Sequence, residues 1–150
     1  MTGRLQDKQL ILGVCGGIAA YKSVELLRLM TKQGARVRVV MTRHAGEFVA
    51  PLTFEALSGE PVCIDLFDRT DRDASIRHID WAQEADAAVI APATANLVAK
   101  LANGMADDAL STFLLAMICP VLVCPSMNTH MYQHPSVQRN LDRLKTDGHM

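Results

Sequence analysis

Hydrophobic and polar residues alternate along this chain in blocks that predict strands and helices in turn. Four short, largely apolar runs predict strands, at residues 9–15, 35–42, 87–91 and 120–124. Helically spaced apolar residues follow them, as in Ile18, Tyr21, Val24 and Leu27. This order predicts an α/β fold: a three-layer, doubly wound parallel sheet of the Rossmann-like type, in a single domain.

Shorter signals set the ends of these elements. Pro92 has no N–H for a strand ladder, which predicts that the third main strand ends there. Gly34 stands where a glycine ends a helix, and Asp107 and Asp108 are expected in the first turn of a helix. The minor elements expected are a helix at 47–57 broken at Pro51, an edge strand at 62–64, a solvated loop at 65–75, a short helix at 76–82, a polar loop at 125–135 and a helix at 136–148.

Four polar loops stand at the carboxyl ends of the predicted strands, at residues 15–18, 42–44, 92–96 and 125–132. Open α/β sheets bind ligands outside the carboxyl ends of their strands, where the strand order reverses. The sequence therefore predicts that the four loops converge on one ligand site. Each loop taken singly also fits a structural turn that binds nothing.

The glycine-rich turn after the first strand allows a ligand to approach the backbone closely. It is not a dinucleotide fingerprint, because Gly13, Cys15 and Ile18 occupy the three glycine positions of G-x-G-x-x-G and only the first matches. The pattern of a phosphate-binding Walker loop is also missing. The turn thus favours a ligand with one phosphate or none.

Length, charge and composition exclude several classes of protein. A length of 150 residues fits one domain, and a net charge of −1 argues against a general nucleic-acid binder. No uncharged apolar run approaches a membrane span, and no signal peptide opens the chain. Four cysteines without C-x-x-C spacing suit a reducing cytoplasm. His130 and His134 have the spacing of two metal ligands, but Pro135 disfavours a helix there, so we expect no metal site.

Several of these segments together resemble a known family. Residues 13–22 (GVCGGIAAYK), 92–96 (PATAN), 104–108 (GMADD) and 125–132 (PSMNTHMY), with His78, resemble the homo-oligomeric flavin-containing cysteine decarboxylases. PATAN stands for the family's P-A-S-A-N-T motif. PSMNTHMY stands for its P-x-M-N-x-x-M-W motif, with Tyr132 at the usual tryptophan. The most similar branch acts on 4'-phosphopantothenoylcysteine and forms the N-terminal part of the bacterial bifunctional coenzyme A biosynthesis protein.

The resemblance implies an FMN cofactor, a small-molecule substrate, and a cytoplasmic enzyme that assembles as a homo-trimer or from trimers, without nucleic acid or membrane. In that family FMN oxidises the cysteine thiol to a thioaldehyde. The C=S group then accepts the electrons as CO2 leaves, which gives an enethiolate.

The resemblance also implies roles for residues. His78 is the expected catalytic base, and Met127 and Asn128 are expected at the substrate, with the Asn128 amide holding its carboxylate. The residues expected at the FMN phosphate and ribityl chain are Gly16, Gly17, Ile18, Thr42, Arg43 and His44. Those expected along the flavin are Thr94, Ala95, Asn96, Leu97 and Ser126.

Two departures from the family pattern qualify this expectation. The family carries a cysteine on a later flap that helps the final reduction, and none of the four cysteines here matches it. The synthetase half of the bifunctional protein is absent too. We therefore expect residues 1–150 to be an FMN-binding decarboxylase domain cut before the flap.

Three other functions remain open. A peptidyl-cysteine decarboxylase of the lantibiotic type shares His78 and the P-S-M-N loop. The flavin prenyltransferase branch shares the fold but lacks both features. A non-catalytic flavin-fold regulator has no need of either His78 or Asn128.

Overall fold

The computed structural model describes residues 3–67 and 74–150, with the side chains of residues 74–78 outside the description. The strands are β1 (Gln9–Val14), β2 (Arg36–Met41), β3 (Ala87–Ala93) and β4 (Val121–Pro125). The α-helices are α1 (Ala20–Lys32), α2 (Pro51–Ser58), α3 (Ala74–Glu84), α4 (Ala95–Ala102), α5 (Ala109–Ala116), α6 (Thr129–Gln133) and α7 (Pro135–Thr146), and a 3-10 helix covers Arg43–Glu47.

The four strands form one parallel sheet in the order β2-β1-β3-β4. The chain passes from β1 outward to β2 and then returns to add β3 and β4 on the other side. The strand order therefore reverses between β1 and β3, as in doubly wound sheets. The predicted fold class is confirmed.

Side chains along β1 alternate between two cores because successive residues of a strand point to opposite faces. Leu12 and Val14 belong to a buried cluster that contains Leu27 of α1 and Phe54 of α2. Ile11 belongs to the opposite cluster, which gathers buried residues of α4, α5 and α7. Helices thus cover both faces of the sheet, which makes the three layers that the alternation of elements predicts.

One predicted strand end and one predicted strand were wrong. Pairing does not stop at Pro92: β3 continues to Ala93, which pairs with Pro125 after a register shift beyond Ile90. A proline removes only its own N–H from the ladder, so pairing resumes one residue later. Residues 62–64 form no strand; Cys63 makes a single parallel bridge to Val40.

The helix ends differ from prediction mainly where a side chain caps the first turn. Asp108 is the N-cap of α5, so neither it nor Asp107 lies in the first turn as expected. Pro51 begins α2 at its first position instead of breaking a longer helix. Gly34 and Gly104 have positive φ angles just after helix ends, which confirms the prediction made for Gly34.

Residues 125–135 contain the short helix α6 where a loop was expected. In the predicted loop 65–75, Asp65 accepts a hydrogen bond from Arg43, and residues 68–73 lie outside the described part of the chain. Among the helices of the described ranges, none is long and apolar enough to cross a membrane.

Candidate active site

The loops at the carboxyl ends of the four strands are joined in the order of the sheet. Each neighbouring pair of strand ends shares a backbone hydrogen bond of 3.0–3.2 Å. The three bonds run from Thr42 N to Val14 O, from Cys15 N to Pro92 O and from Ser126 N to Ala93 O. The predicted loops at 15–18, 42–44, 92–96 and 125–132 therefore lie along one edge, and the first and third flank the reversal of strand order.

The glycine turn after β1 packs directly on the turn after β2. A Cβ atom at Gly16 would lie 2.5 Å from His44 Cβ and 2.8–2.9 Å from the His44 carbonyl group, so only glycine fits there. Beside it, a Cβ at Gly17 would meet nothing within 4 Å. Ala19, at the N-cap of α1, provides no side-chain cap. The N-terminus of α1 is thus left open beside a closely packed glycine.

Helix α1 is fastened to β3 across the point where the strand order reverses. Ser23 is buried, and its hydroxyl donates a 2.6 Å hydrogen bond to the Ala91 carbonyl. This bond holds the first turns of α1 against the strand that leads into residues 92–96. Sequence reasoning missed Ser23, although a serine on the apolar side of a predicted helix is a signal for such a bond.

Residues 92–96 lead from the end of β3 into the start of α4. Thr94 is the N-cap, and its Oγ1 accepts a 3.3 Å hydrogen bond from Leu97 N. Thr94 also forms hydrogen bonds to the Cys15 thiol through its backbone and side chain, while burial raises the pKa of that thiol to about 11. Cys15 is therefore a protonated core residue at neutral pH. Its contacts with Thr94 join the loop at residues 15–18 to the loop at residues 92–96.

A partly buried ion-pair network fixes the segment after α4. Lys100 of α4 has a side chain that is 13% exposed, and its Nζ lies 2.8 Å from Asp107 Oδ1 and 2.6 Å from Asp108 Oδ2. Asp108 Oδ1 accepts hydrogen bonds from the backbone and the hydroxyl of Ser111, both 2.8 Å. The network joins α4, the 104–108 segment and the first turn of α5.

Charge pairing sets the protonation states of this network. Partial burial raises the pKa of the Asp108 carboxyl, but hydrogen bonds from Lys100 and Ser111 outweigh it and hold that pKa below its usual value. Partial burial lowers the pKa of the Lys100 ammonium group, and its bonds to Asp107 and Asp108 raise it overall. Lys100 and Asp108 are therefore both charged at neutral pH. Sequence reasoning missed Lys100, because nothing in a helix pattern shows which carboxylates a lysine will reach.

The two polar atoms of the Asn128 side chain have different roles. Its Oδ1 accepts a 2.8 Å hydrogen bond from His130 N, which caps α6. The Nδ2 group stays available as a donor on an exposed part of the edge. Ser126 is exposed and Met127 is half-buried on the same segment.

The other predicted site residues fall at the same edge with different exposure. Ile18, Arg43, His44 and Asn96 are exposed, and Ala95 is half-buried. Leu97 is 2% exposed and packs in the core, so its contribution to the edge is its backbone. His78 lies in α3, and its side chain is outside the described part of the structure.

No group of three or more metal-ligating side chains occurs among the described residues. His134, half of the pair singled out by spacing, caps α7 instead: its Nδ1 accepts a 3.2 Å hydrogen bond from Ser136 N.

Comparison with protein families gives a match over almost the whole chain. The model of the family described as "Flavoprotein" matches residues 2–150. The chain belongs to the Flavoprotein family.

Individual relatives show which Flavoprotein-family proteins this chain is similar to. It is 49% identical over 145 residues to the coenzyme A biosynthesis bifunctional protein CoaBC of Bacillus subtilis, a match that covers 97% of this chain and 36% of that protein. The chain thus spans about a third of the length of the curated relatives it matches.

Solved structures agree with the fold. The FMN-dependent cysteine decarboxylase SpaF superposes with a TM-score of 0.88 at 37% identity, covering 97% of this chain and 83% of that one. A variant of PPC decarboxylase complexed with pantothenoylaminoethenethiol superposes with a TM-score of 0.82 at 28% identity, covering 97% and 81%.

Proposed function

We propose that this chain is the FMN-dependent decarboxylase domain for 4'-phosphopantothenoylcysteine, which leads to 4'-phosphopantetheine in coenzyme A biosynthesis. One observation carries the proposal: three of the segments that resemble the cysteine decarboxylases, residues 13–22, 92–96 and 125–132, are hydrogen-bonded side by side along one sheet edge. The identity to CoaBC supports this substrate. In this proposal residues 1–150 are the FMN-binding part.

The edge fits the phosphate end of FMN. The N-terminus of α1 has no side-chain cap, and the positive end of the helix dipole there suits an anion. Gly17 leaves open space beside this helix end, and Gly16 lets the turn close against His44. Gly16 to Ile18 and Thr42 to His44 would hold the phosphate and ribityl chain, and Thr94 to Leu97 with Ser126 would lie along the flavin.

The chemistry of the substrate explains why a cofactor is needed. Bound FMN supplies the oxidation of the cysteine thiol that provides an electron sink for loss of CO2. The residues of the chain bind and orient. The Asn128 Nδ2 group donates to the substrate carboxylate because its Oδ1 is already held by His130 N. His78 acts as the catalytic base in this scheme.

A second substrate class has specific support. The similarity to SpaF, whose name gives it as an FMN-dependent cysteine decarboxylase, is greater than that to PPC decarboxylase. A cysteine at the end of a peptide, the substrate class of the lantibiotic-type decarboxylases that the sequence also resembles, is the alternative substrate. We take the small molecule as the first choice because 49% identity to CoaBC exceeds 37% to SpaF.

Assembly and location form part of the proposal. We propose a homo-trimer, or a larger assembly of trimers, in the cytoplasm. Large apolar side chains stay exposed on the single chain, including Ile18 at 78% and Leu52 at 70%. Apolar surface of this kind is typical of surfaces that contact another molecule.

Turnover separates the candidate functions. The purified protein, saturated with FMN and freed of excess by gel filtration, is incubated with 4'-phosphopantothenoylcysteine or with a peptide ending in cysteine. Mass spectrometry then follows the loss of CO2. We expect a yellow protein that decarboxylates the small molecule. A colourless protein that retains no added FMN, or one that leaves the small molecule intact, would contradict the proposal.

A further inference from the structure

Helix α3, which carries the predicted base His78, is held against the sheet by an arginine of β2. The Arg38 side chain is only 11% exposed. Its guanidinium carbon lies 5.0 Å from the centroid of the Trp81 ring, which is the distance of a cation–π contact. Its Nη1 donates a 2.8 Å hydrogen bond to Glu84 Oε2. One side chain of β2 thus contacts two residues of α3 that lie about one helical turn apart.

Trp81 receives contacts from a second element as well. It is buried in the cluster that also contains Ile11 and Val40 of the sheet. Its ring centroid lies 6.1 Å from that of Phe113 in α5, with the two planes tilted by 45°. Because a cation and an aromatic ring both contact the indole, the position of α3 at Trp81 is well defined.

His78 precedes Trp81 by three residues in the same helix. Helix α3 is continuous over Ala74–Glu84, and three residues of an α-helix span about 4.5 Å along its axis. A shift or rotation of the helix at Trp81 therefore moves the backbone of His78 with it. The placement of the predicted base depends on contacts made one turn later in the chain.

Strand β2 also leads to the turn expected at the cofactor. The strand that carries Arg38 ends at Met41 and continues into residues 42–44, which the proposed function puts at the FMN phosphate. It pairs with β1 in unbroken register from Arg36 to Met41. The contacts of Arg38 therefore fix α3 relative to the same strand that presents the cofactor turn.

Stability alone does not account for an arginine at this position. Its Nε is buried and meets no hydrogen-bond acceptor among the described residues. Glu84 is 56% exposed, so water screens the ion pair. An unbranched apolar side chain would fill this space without the cost of removing a cation from water. The arginine adds direction, because a planar guanidinium can contact a ring with its face and hydrogen-bond at its edge.

We propose that Arg38 is a positioning residue for His78: its contacts with Trp81 and Glu84 set the placement of α3 against β2, and so the distance of the base from the substrate. This inference rests on the proposed function and adds to it the residue that aligns the base. Displacement of a catalytic group by ~1 Å can cost about 10²-fold in rate. The alignment therefore affects kcat more than it affects substrate binding.

The experiment compares Arg38→Met with Arg36→Met, a matched change two residues earlier in the same strand. Arg36 also forms an ion pair, at 2.6 Å, but its partner Glu60 lies outside α3. Turnover of 4'-phosphopantothenoylcysteine by the FMN-loaded protein gives kcat and KM. We expect Arg38→Met to lower kcat by ~10–100-fold at nearly unchanged KM and FMN content. Arg38→Lys keeps the cation and should recover part of this loss, and Arg36→Met should match the parent.

A second background separates positioning from a general loss of structure. In the His78→Asn protein the base is already removed, so adding Arg38→Met should lower the residual rate little further. Hydrogen exchange in peptides from α3 supplies a readout that does not depend on turnover. Exchange should be faster in Arg38→Met and unchanged in peptides from α4. If Arg38→Met does not fold, Glu84→Gln tests the same contacts from their exposed side and should give a smaller fall in kcat.

Three results would overturn the inference. The first is the parent kcat in Arg38→Met, or in Glu84→Gln if that variant replaces it. The second is an equal loss from Arg38→Met in the parent and in the His78→Asn background. The third is unchanged hydrogen exchange in α3. Failure of the proposed function is distinguishable, because it shows as a parent protein that releases no CO2 or as a His78→Asn protein that keeps the parent rate.

Discussion

Asn128 serves the fold with one atom and, in the proposed function, the substrate with the other. Its Oδ1 caps α6 through His130 N, so the amide nitrogen has a fixed direction before any ligand arrives. The sequence placed this residue in a loop, yet asparagine is among the preferred N-caps. That preference was the signal for α6. The direction of the amide required the structure, because it depends on which backbone N–H the side chain meets.

Asn128→Asp should separate these two roles. Aspartate keeps the cap acceptor but replaces the donor with a negative charge facing the substrate carboxylate. We expect an unchanged melting temperature, retained FMN and a fall in kcat/KM of about 10–100-fold, from the loss of a hydrogen bond to a charged group. Turnover is followed by mass spectrometry, with Asn140→Asp on α7 as the charge control. Equal losses in both variants would refute the assignment.

His78 remains a prediction from the family resemblance. His78→Asn should retain FMN but lower the rate of CO2 release by roughly 10²–10⁴-fold, as expected for loss of a general base. His149→Asn, near the last residue of the chain, is the matched control and should keep the parent rate. Decarboxylation at the parent rate by the His78 variant would show that the base lies elsewhere.

At the scale of elements, α4 and α5 are joined by charge as well as by apolar packing. Lys100 bridges Asp107 and Asp108, and Asp108 caps α5. The sequence predicted a helix after the third strand from its apolar spacing, and another near Asp107 and Asp108 from their charge. It could not predict the bridge, or the resumption of β3 after Pro92, since both depend on neighbours distant in sequence. The prediction of an edge strand at residues 62–64 was wrong for the same reason. Only Cys63 of this segment pairs with the sheet, through a single bridge to Val40.

Asp108→Asn tests the bridge through its pH dependence. At pH 7 we expect the variant to lose about 1–2 kcal/mol of unfolding free energy, because asparagine keeps the cap but weakens the bond to Lys100. The folded pKa of Asp108 is lowered, so its stabilisation is complete above the unfolded value near 3.9. It is lost as the pH falls through the folded pKa. The difference between parent and variant should therefore shrink below about pH 4.

Urea unfolding at several pH values measures this difference. Asp142→Asn, which removes the exposed partner of Lys145, serves as control and should change stability little at any pH. A loss in the Asp108 variant that stays constant from neutral to acid pH would mean that the charge of Asp108 does not stabilise the fold.

At the scale of the whole molecule, the exposed apolar side chains lead to a prediction about assembly. Light scattering at micromolar concentration should give a mass that is a multiple of three chains. Leu52→Glu on α2, where the parent side chain is 70% exposed, tests whether that surface takes part. We expect a smaller particle with unchanged circular dichroism. A parent protein that scatters as a single chain contradicts the proposed trimer.

The contact between Gly16 and His44 has a kinetic consequence. Backbone and Cβ atoms of the second turn already occupy the place that a methyl group on the first would need. The backbones of the two turns are therefore already in contact before a ligand arrives. FMN capture at these turns should then proceed without a slow gating step. Differences in affinity among variants of the turn should appear chiefly in how long FMN stays bound.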